Sequence, residues 1–147
     1  MSAASQPAFD VVVFGATSFV GRLLCEYLVA QFGVEGKGEG AGALRWAAAA
    51  RSNAKLQALR SALGPAAHGL PVLIANAADP ASLRAICAQA RVVVSTVGPY
   101  ALHGEPLVQA CAESGTDYCD LSGEVQWIRR MIERHEPAAR ASGARIV

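Results

Sequence analysis

Seven residues near the amino end, Gly15-Ala16-Thr17-Ser18-Phe19-Val20-Gly21, have the make-up of an anion-binding turn. An apolar run over 11–14 precedes them and helical periodicity follows. That context puts free backbone N–H groups and the positive end of a helix dipole at one point, where a pyrophosphate is stabilised. Gly15 would allow a sharp turn and close approach of backbone to the anion, and Gly21 would let the helix sit tightly on the strand. Ser18 stands where a second glycine is often found, and its hydroxyl is a further candidate phosphate contact. The plainer alternative is a structural turn, against which the strand before and the helix after both argue.

A second cluster names the nucleotide. Strands in this position that serve NAD commonly end in Asp or Glu for the ribose 2′-hydroxyl, whereas an arginine accommodates a 2′-phosphate. Here 47–50 are all alanine, and Arg51, Ser52 and Lys55 follow. Arg51 would meet a phosphate bidentately, Ser52 would donate its hydroxyl and Lys55 would add a point charge. The pattern favours NADP over NAD, although an arginine that merely solvates a loop is the common fate of surface charge. A third cluster, Thr96-Val97-Gly98-Pro99-Tyr100, offers small residues to a nicotinamide ribose, a turn at Gly98-Pro99, and Tyr100 at the rim.

Candidate acid–base groups are sparser. His103 and Glu105 could face a substrate, yet both suit a helix terminus without any catalytic role. Tyr118, Asp120 and Glu124 gather near the end of a later strand, where two carboxylates could orient an amine or relay a proton. A strand-ending Asp and a first-turn Glu explain them as well. Trp127 and Met131 read as packing surface, and no catalytic residue is assigned.

These residues need elements to hold them. The run 11–14 reads as a strand buried on both faces. Val20, Leu23, Leu24, Tyr27 and Leu28 then follow helical spacing over 18–32, as one buried stripe. A glycine-rich loop (33–42), a strand over 44–50 and a helix over 53–63 capped by Ser52 come next. A strand over 72–75 leads to a helix that Asp79-Pro80 opens and that runs to Ala90, then a strand over 92–95. A helix over 105–114 stops at Gly115, a strand covers 117–121, and a helix starts near Glu124 with Val125, Ile128, Ile132 and His135 on one face. Residues 144–147 open one more strand. Regular alternation with connections too long for hairpins predicts an α/β fold, a doubly wound parallel sheet of the NAD(P)-binding Rossmann kind. Ligands of such sheets lie at the carboxyl ends of the strands, after residues 14, 50, 75, 97 and 120.

Composition narrows the class. The 147 residues suit one domain, here 9–147 behind a disordered leader at 1–8. With 52% apolar and 17% charged residues, the chain is globular. A net charge of +1 gives no one-signed field for nucleic acid or an anionic membrane. Mean hydropathy is +0.27, but no apolar run reaches the ~18–20 residues of a membrane span. No secretory signal is visible, so a cytoplasmic setting is expected. Cys25, Cys87, Cys111 and Cys119 have neither Cys-x-x-Cys spacing nor a histidine partner pattern, and read as buried hydrophobes rather than metal ligands.

Taken in order, the first, second and third clusters and Tyr118-Cys119-Asp120-Leu121-Ser122-Gly123-Glu124 resemble the amino-terminal domain of the saccharopine dehydrogenase-like oxidoreductases, from Phe9 onward. The resemblance extends to trans-acting enoyl reductases of polyketide and glycolipid assembly. It implies NADP bound with its pyrophosphate at Gly15 to Gly21, its 2′-phosphate at Arg51 and Ser52, and its nicotinamide half near Thr96 to Tyr100. It also implies a longer protein whose substrate domain follows this one, hydride transfer to a small-molecule or lipid-linked substrate, and little turnover by this piece alone. Homo-oligomerisation stays open. Two positions depart from the family pattern, Ala50 before the arginine and Ser18 in the first loop, where glycine is frequent; either would narrow the site. Two other readings compete. A short-chain dehydrogenase or epimerase needs a Tyr-x-x-x-Lys pair, but Gln31, Gly104 and Ser122 follow the three tyrosines at that spacing. A non-catalytic NADP-sensing or scaffolding module would share the fold. A P-loop kinase is excluded, because Gly36-Lys37-Gly38 lacks the Ser or Thr and the helix.

Overall fold

A computed structural model describes residues 6–34 and 43–147, so most of the leader and of the glycine-rich loop expected at 33–42 lie outside the described residues. The period change seen in the sequence is realised at once. Strand β1 (Phe9–Phe14) turns directly into α1 (Phe19–Phe32). After β2 (Trp46–Ala50), Ser52 caps α2 (Asn53–Ala62) by accepting from Lys55 N at 3.3 Å. After β3 (Val72–Ile74), Asp79 caps α3 (Pro80–Cys87) with its carboxylate on Ala81 N, and proline occupies the first turn, where its missing N–H costs nothing. Strand β4 (Ala90–Ser95) begins where the third helix was expected still to run. A four-residue turn of helix, α4 (Tyr100–His103), which the sequence did not announce, precedes α5 (Glu105–Ser114). The chain continues through β5 (Asp117–Asp120) and α6 (Val125–Ser142).

The five strands lie in the order β3-β2-β1-β4-β5, every pair parallel. Alternation along the strands divides the core by face. Val12, Phe14, Ala47, Ala49 and Val93 point to one side with α3, α5 and α6, while Val13, Ala48 and Ala50 point to the other with α1 and α2. The sheet is therefore doubly wound, as expected. The strand opening at 144–147 appears as a parallel bridge from Ile146 to Tyr118, with Val147 N donating to Tyr118 O at 2.9 Å.

Two helices turn inward only part of the face that their apolar periodicity suggested, Leu24 and Leu28 among it in α1. In α1 the buried residues are Gly21, Cys25 and Leu28, whereas Val20, Leu23 and Tyr27 are exposed. Gly21 decides this: a Cβ there would stand 2.1 Å from Gly15 O, so the helix has rotated to bring its one side-chain-free position against the turn. In α6 the buried residues are Trp127, Met131 and Ala139, while Val125, Ile128 and Ile132 are exposed. Trp127 supplies the larger apolar area and stacks on Tyr100, centroids 5.5 Å apart, which fixes the helix rotation. Ile128 and Ile132 instead line a groove of about 810 Å³ with Met131 and Ile146, beside the outer edge of β5.

Candidate functional site

The carboxyl ends of β1 to β4 open into a cleft of about 470 Å³. Its walls bring together Gly15, Thr17 and Ser18 from the first loop, Arg51, Ser52 and Lys55 from the second, and Thr96, Val97 and Gly98 from the fourth. Asn76, Ala77 and Ala78 after β3 complete it, with His103 on the far side. Three of the four loops were read from the sequence as site segments by residue. Of the Asn76 stretch the sequence indicates only a loop at a strand end, although its turn chemistry is visible there: Asn76 Oδ1 accepts from Ala78 N at 3.0 Å, and Ser82 Oγ accepts from Asn76 N.

The first loop is locked from within. Gly15 has φ +85°, a region closed to most side chains, and a Cβ there would also lie 2.6 Å from Thr96 Oγ1. Gly15 N and Ala16 N both donate to Ala49 O of β2. Thr96 Oγ1 lies 2.9 Å from Gly15 O and 3.1 Å from Ser18 Oγ, and Gly21 N donates to Ser18 Oγ at 3.0 Å. If Thr96 gives its single proton to Gly15 O, Ser18 must donate to Thr96, which forms a relay from Gly21 N through both hydroxyls to that carbonyl. Ser18 is thus the N-cap of α1, its hydroxyl held by Gly21 N and Thr96 Oγ1. Its φ of −73° needs no glycine, which explains how serine fills this place. The amides of Phe19 and Val20 remain without an intrahelical acceptor, as the first turn of any helix requires, and carry the positive end of the α1 dipole.

Other expected residues do not line the cleft. Ala16 is fully buried, Gly21 packs on the turn, and the Phe19 side chain is 80% exposed outside the cleft. Pro99, whose peptide bond with Gly98 is cis, does not line the cleft. Tyr100, expected at the rim, is instead 8% exposed in the core. Its hydroxyl donates to Ser95 O at 3.0 Å and accepts from Leu121 N at 3.3 Å, and burial raises its pKa. Tyr100 therefore braces β4 against the loop after β5.

The carboxylates are also structural. Glu124 reaches back to α4, where Oε2 accepts from Tyr100 N at 2.7 Å and Ala101 N at 3.3 Å. The cap it provides is for a neighbouring turn rather than for its own helix, and it pins the loop that carries Thr96 to Gly98. Asp120 accepts from Tyr118 Oη at 2.6 Å and from Ser122 N at 2.8 Å. Burial first, and then that bond to Asp120, push the Tyr118 phenol well above the usual tyrosine range. Glu105 faces α6, pairing with Arg134 at 2.9 Å and His135 at 3.0 Å, so it does not address the cleft. Although burial opposes it, those two partners hold the Glu105 carboxyl below its ordinary range. Among the described residues no group of three or more His, Cys, Asp or Glu is placed to hold a metal ion, and no helix is long and apolar enough to cross a membrane.

Residues 11–147 match the family model of the saccharopine dehydrogenase NADP binding domain. The trans-acting enoyl reductase of Mycobacterium leprae (strain TN) is 43% identical over 139 residues, which cover 95% of this chain and 31% of that protein. A relative from Mycobacterium tuberculosis (strain ATCC 25618 / H37Rv) is 47% identical with the same coverage. The chain thus spans about a third of the length of the curated relatives it matches. Among solved structures, apo saccharopine dehydrogenase (L-Glu forming) from Saccharomyces cerevisiae superposes with a TM-score of 0.69 at 21% identity, covering 94% of this chain and 26% of that one. Citrobacter sp. triphenylmethane reductase complexed with NADP(H) gives a TM-score of 0.63 at 19% identity, with 94% and 47% covered. At these identities the two structures establish the fold.

Proposed function

The chain belongs to the saccharopine dehydrogenase NADP binding domain family, and from that premise we propose that it is the nucleotide-binding part of an NADP-dependent oxidoreductase that acts on a small-molecule or lipid-linked substrate. The observation that carries this reading is the charge layout of the cleft. Strand β2 ends in alanine with no carboxylate to meet a ribose 2′-hydroxyl, and Arg51, Ser52 and Lys55 line the wall directly after it. A 2′-phosphate fits that donor set, and a pyrophosphate fits the first turn of α1, where unpaired amides and the dipole coincide. NADPH would supply the hydride.

The chain's own residues bind and orient. Gly15 and Gly21 let the backbone of the turn and the helix come close enough to share one anion. The Thr96–Ser18 relay keeps that turn from opening, and Glu124 and Tyr100 hold the Thr96 to Gly98 backbone against the nicotinamide side. The trans-acting enoyl reductase relatives suggest an unsaturated, carrier- or lipid-linked substrate, which residues beyond this domain would position. No acid–base residue is assigned, because the carboxylates near the loop ends are occupied as caps and braces.

Calorimetric titration with NADP and NAD, for the wild type and Arg51→Ala, tests the reading. Charge-assisted contacts contribute about 1.5–3 kcal/mol each, so NADP should bind roughly 10–100-fold more tightly than NAD, and the variant should lose most of that preference. Equal affinities for the two nucleotides in the wild type would remove the assignment of Arg51.

A further inference from the structure

Two of the four cysteines touch. Cys87, the last residue of α3, and Cys111, in α5, have their sulfurs 3.6 Å apart, and both side chains are buried. Neither belongs to the nucleotide cleft. Cys87 lies at the opposite end of the sheet, where Phe9 and Ala90 begin their strands and Thr116 Oγ1 donates to Cys87 O at 3.0 Å. It forms part of the wall of a third cavity, of about 560 Å³, together with Arg91, Ser114, Thr116 and Arg145. Cys87, 2% exposed, borders this cavity, while Cys111 is fully buried and does not line it.

We propose that Cys87 and Cys111 are a dithiol modification site, which a hydroperoxide entering this cavity converts to an intramolecular disulfide. The step balances. The Cys87 sulfur attacks one peroxide oxygen, the O–O bond breaks, and a sulfenic acid forms as water or an alcohol leaves. Cys111 then attacks the Cys87 sulfur, the S–O bond breaks, and hydroxide departs with the Cys111 proton as water. Two thiols are oxidised by two electrons and the peroxide is reduced by two. Closing from 3.6 Å to a bond of about 2.05 Å asks for a movement of about 1.5 Å, taken up between two helices that already pack together. Position sets the order of events: Cys87 borders the cavity, whereas Cys111 lies fully buried behind it, where the contact with Cys87 and burial raise its pKa. Cys25 is sealed in the core, where burial lifts its thiol to about 12, and Cys119 is only half-buried; among the described residues neither has a second thiol beside it.

The test treats the wild-type chain with hydrogen peroxide, then unfolds it, alkylates free thiols and maps the peptides. The expected result is a cross-link between the peptides of Cys87 and Cys111, reversible by reductant, with Cys25 and Cys119 still alkylated. Treated protein should also unfold at a higher urea concentration than reduced protein, since the cross-link closes a loop in the unfolded chain. Cys111→Ser should leave a sulfenic acid on Cys87 that dimedone traps. Four alkylated cysteines after treatment, or oxidation confined to Cys119, would overturn the proposal, and neither readout depends on a variant folding.

Discussion

Gly21→Ala is the most direct probe of the first loop, because the added atom has nowhere to go. Its Cβ would meet Gly15 O at 2.1 Å, Ala16 Cα at 2.8 Å and Gly15 C at 2.9 Å. Carbon and carbonyl oxygen rest at roughly 3.3 Å even in their closest favourable contacts, so the overlap with Gly15 O is about 1.2 Å. All three atoms are backbone, and no rotamer change relieves them. The first turn of α1 must lift away from β1, which stretches the 3.0 Å cap between Gly21 N and Ser18 Oγ. Overpacking of this kind costs about 1–3 kcal/mol and a weakened cap about 1 kcal/mol. Alanine returns roughly 1 kcal/mol through its better helix propensity. The net expectation is a loss of about 1–3 kcal/mol, which at a urea m-value of about 1–3 kcal/mol per molar lowers the midpoint by ~1 M. Gly123→Ala, where a Cβ would meet nothing within 4 Å, is the matched control and should stay within about 0.5 kcal/mol of wild type. Urea unfolding gives the stability, and calorimetry with NADP should show weakened binding in step. A Gly21→Ala protein with wild-type midpoint and wild-type affinity would refute the close approach of helix and turn on which the site is built.

Other expectations follow from the braces around the cleft. Glu124→Ala removes the acceptor for Tyr100 N and Ala101 N and should cost about 0.5–2 kcal/mol; NADP and NAD titrations should then weaken together, with their ratio unchanged, because the 2′-phosphate end is untouched. Thr96→Val leaves Gly15 O without the 2.9 Å hydroxyl and breaks the relay, so a loss of about 1–3 kcal/mol in urea unfolding is expected. Arg45 holds the Asp10 carboxyl, and Arg145 the Asp117 carboxyl, below the ordinary 3.8. A depressed folded-state pKa contributes stability that is present above the unfolded value and lost as pH falls through the folded one. The urea midpoint should therefore hold between pH 7 and pH 5 and drop below about pH 4, and Asp117→Asn should show a shallower acid decline than wild type.

What the sequence made legible, and what it hid, follows from the range of the forces involved. The β1 strand and the turn into α1 were readable because an apolar run, a glycine and a helical period succeed one another within a few residues. Caps at Ser52, Asp79 and Gly115 were readable for the same reason. The inward faces of α1 and α6 were legible only in part: Leu28, Trp127 and Met131 turn inward as read, but each helix carries two adjacent apolar stripes, and the nearby carbonyl of Gly15 in one case and the distant ring of Tyr100 in the other chose between them. Local chemistry also misplaced Tyr100 and the role of Glu124, since a residue at the mouth of a loop looks the same whether its partner is a ligand or a main-chain amide two dozen positions away. That Arg51 and Lys55 would share a wall of the cleft was legible because both follow the second strand within a few residues.

The all-parallel order of the sheet bears on how the chain reaches this state. No two neighbouring strands are joined by a hairpin, so every ladder waits for a crossover to close. The first pairing, β1 with β2, spans residues 15–45, and the central pairing of β1 with β4 spans 15–89. Contacts so remote in sequence are reached late, after much of the loop entropy has been lost. Until they form, β1, the middle strand of the sheet, has both edges open. Refolding should accordingly be slow for a chain of this size and sensitive to protein concentration, and alanine-rich β2, which must slot beside β1 before the turn after β1 has its Ala49 acceptor, sets when the cleft at the strand ends first exists.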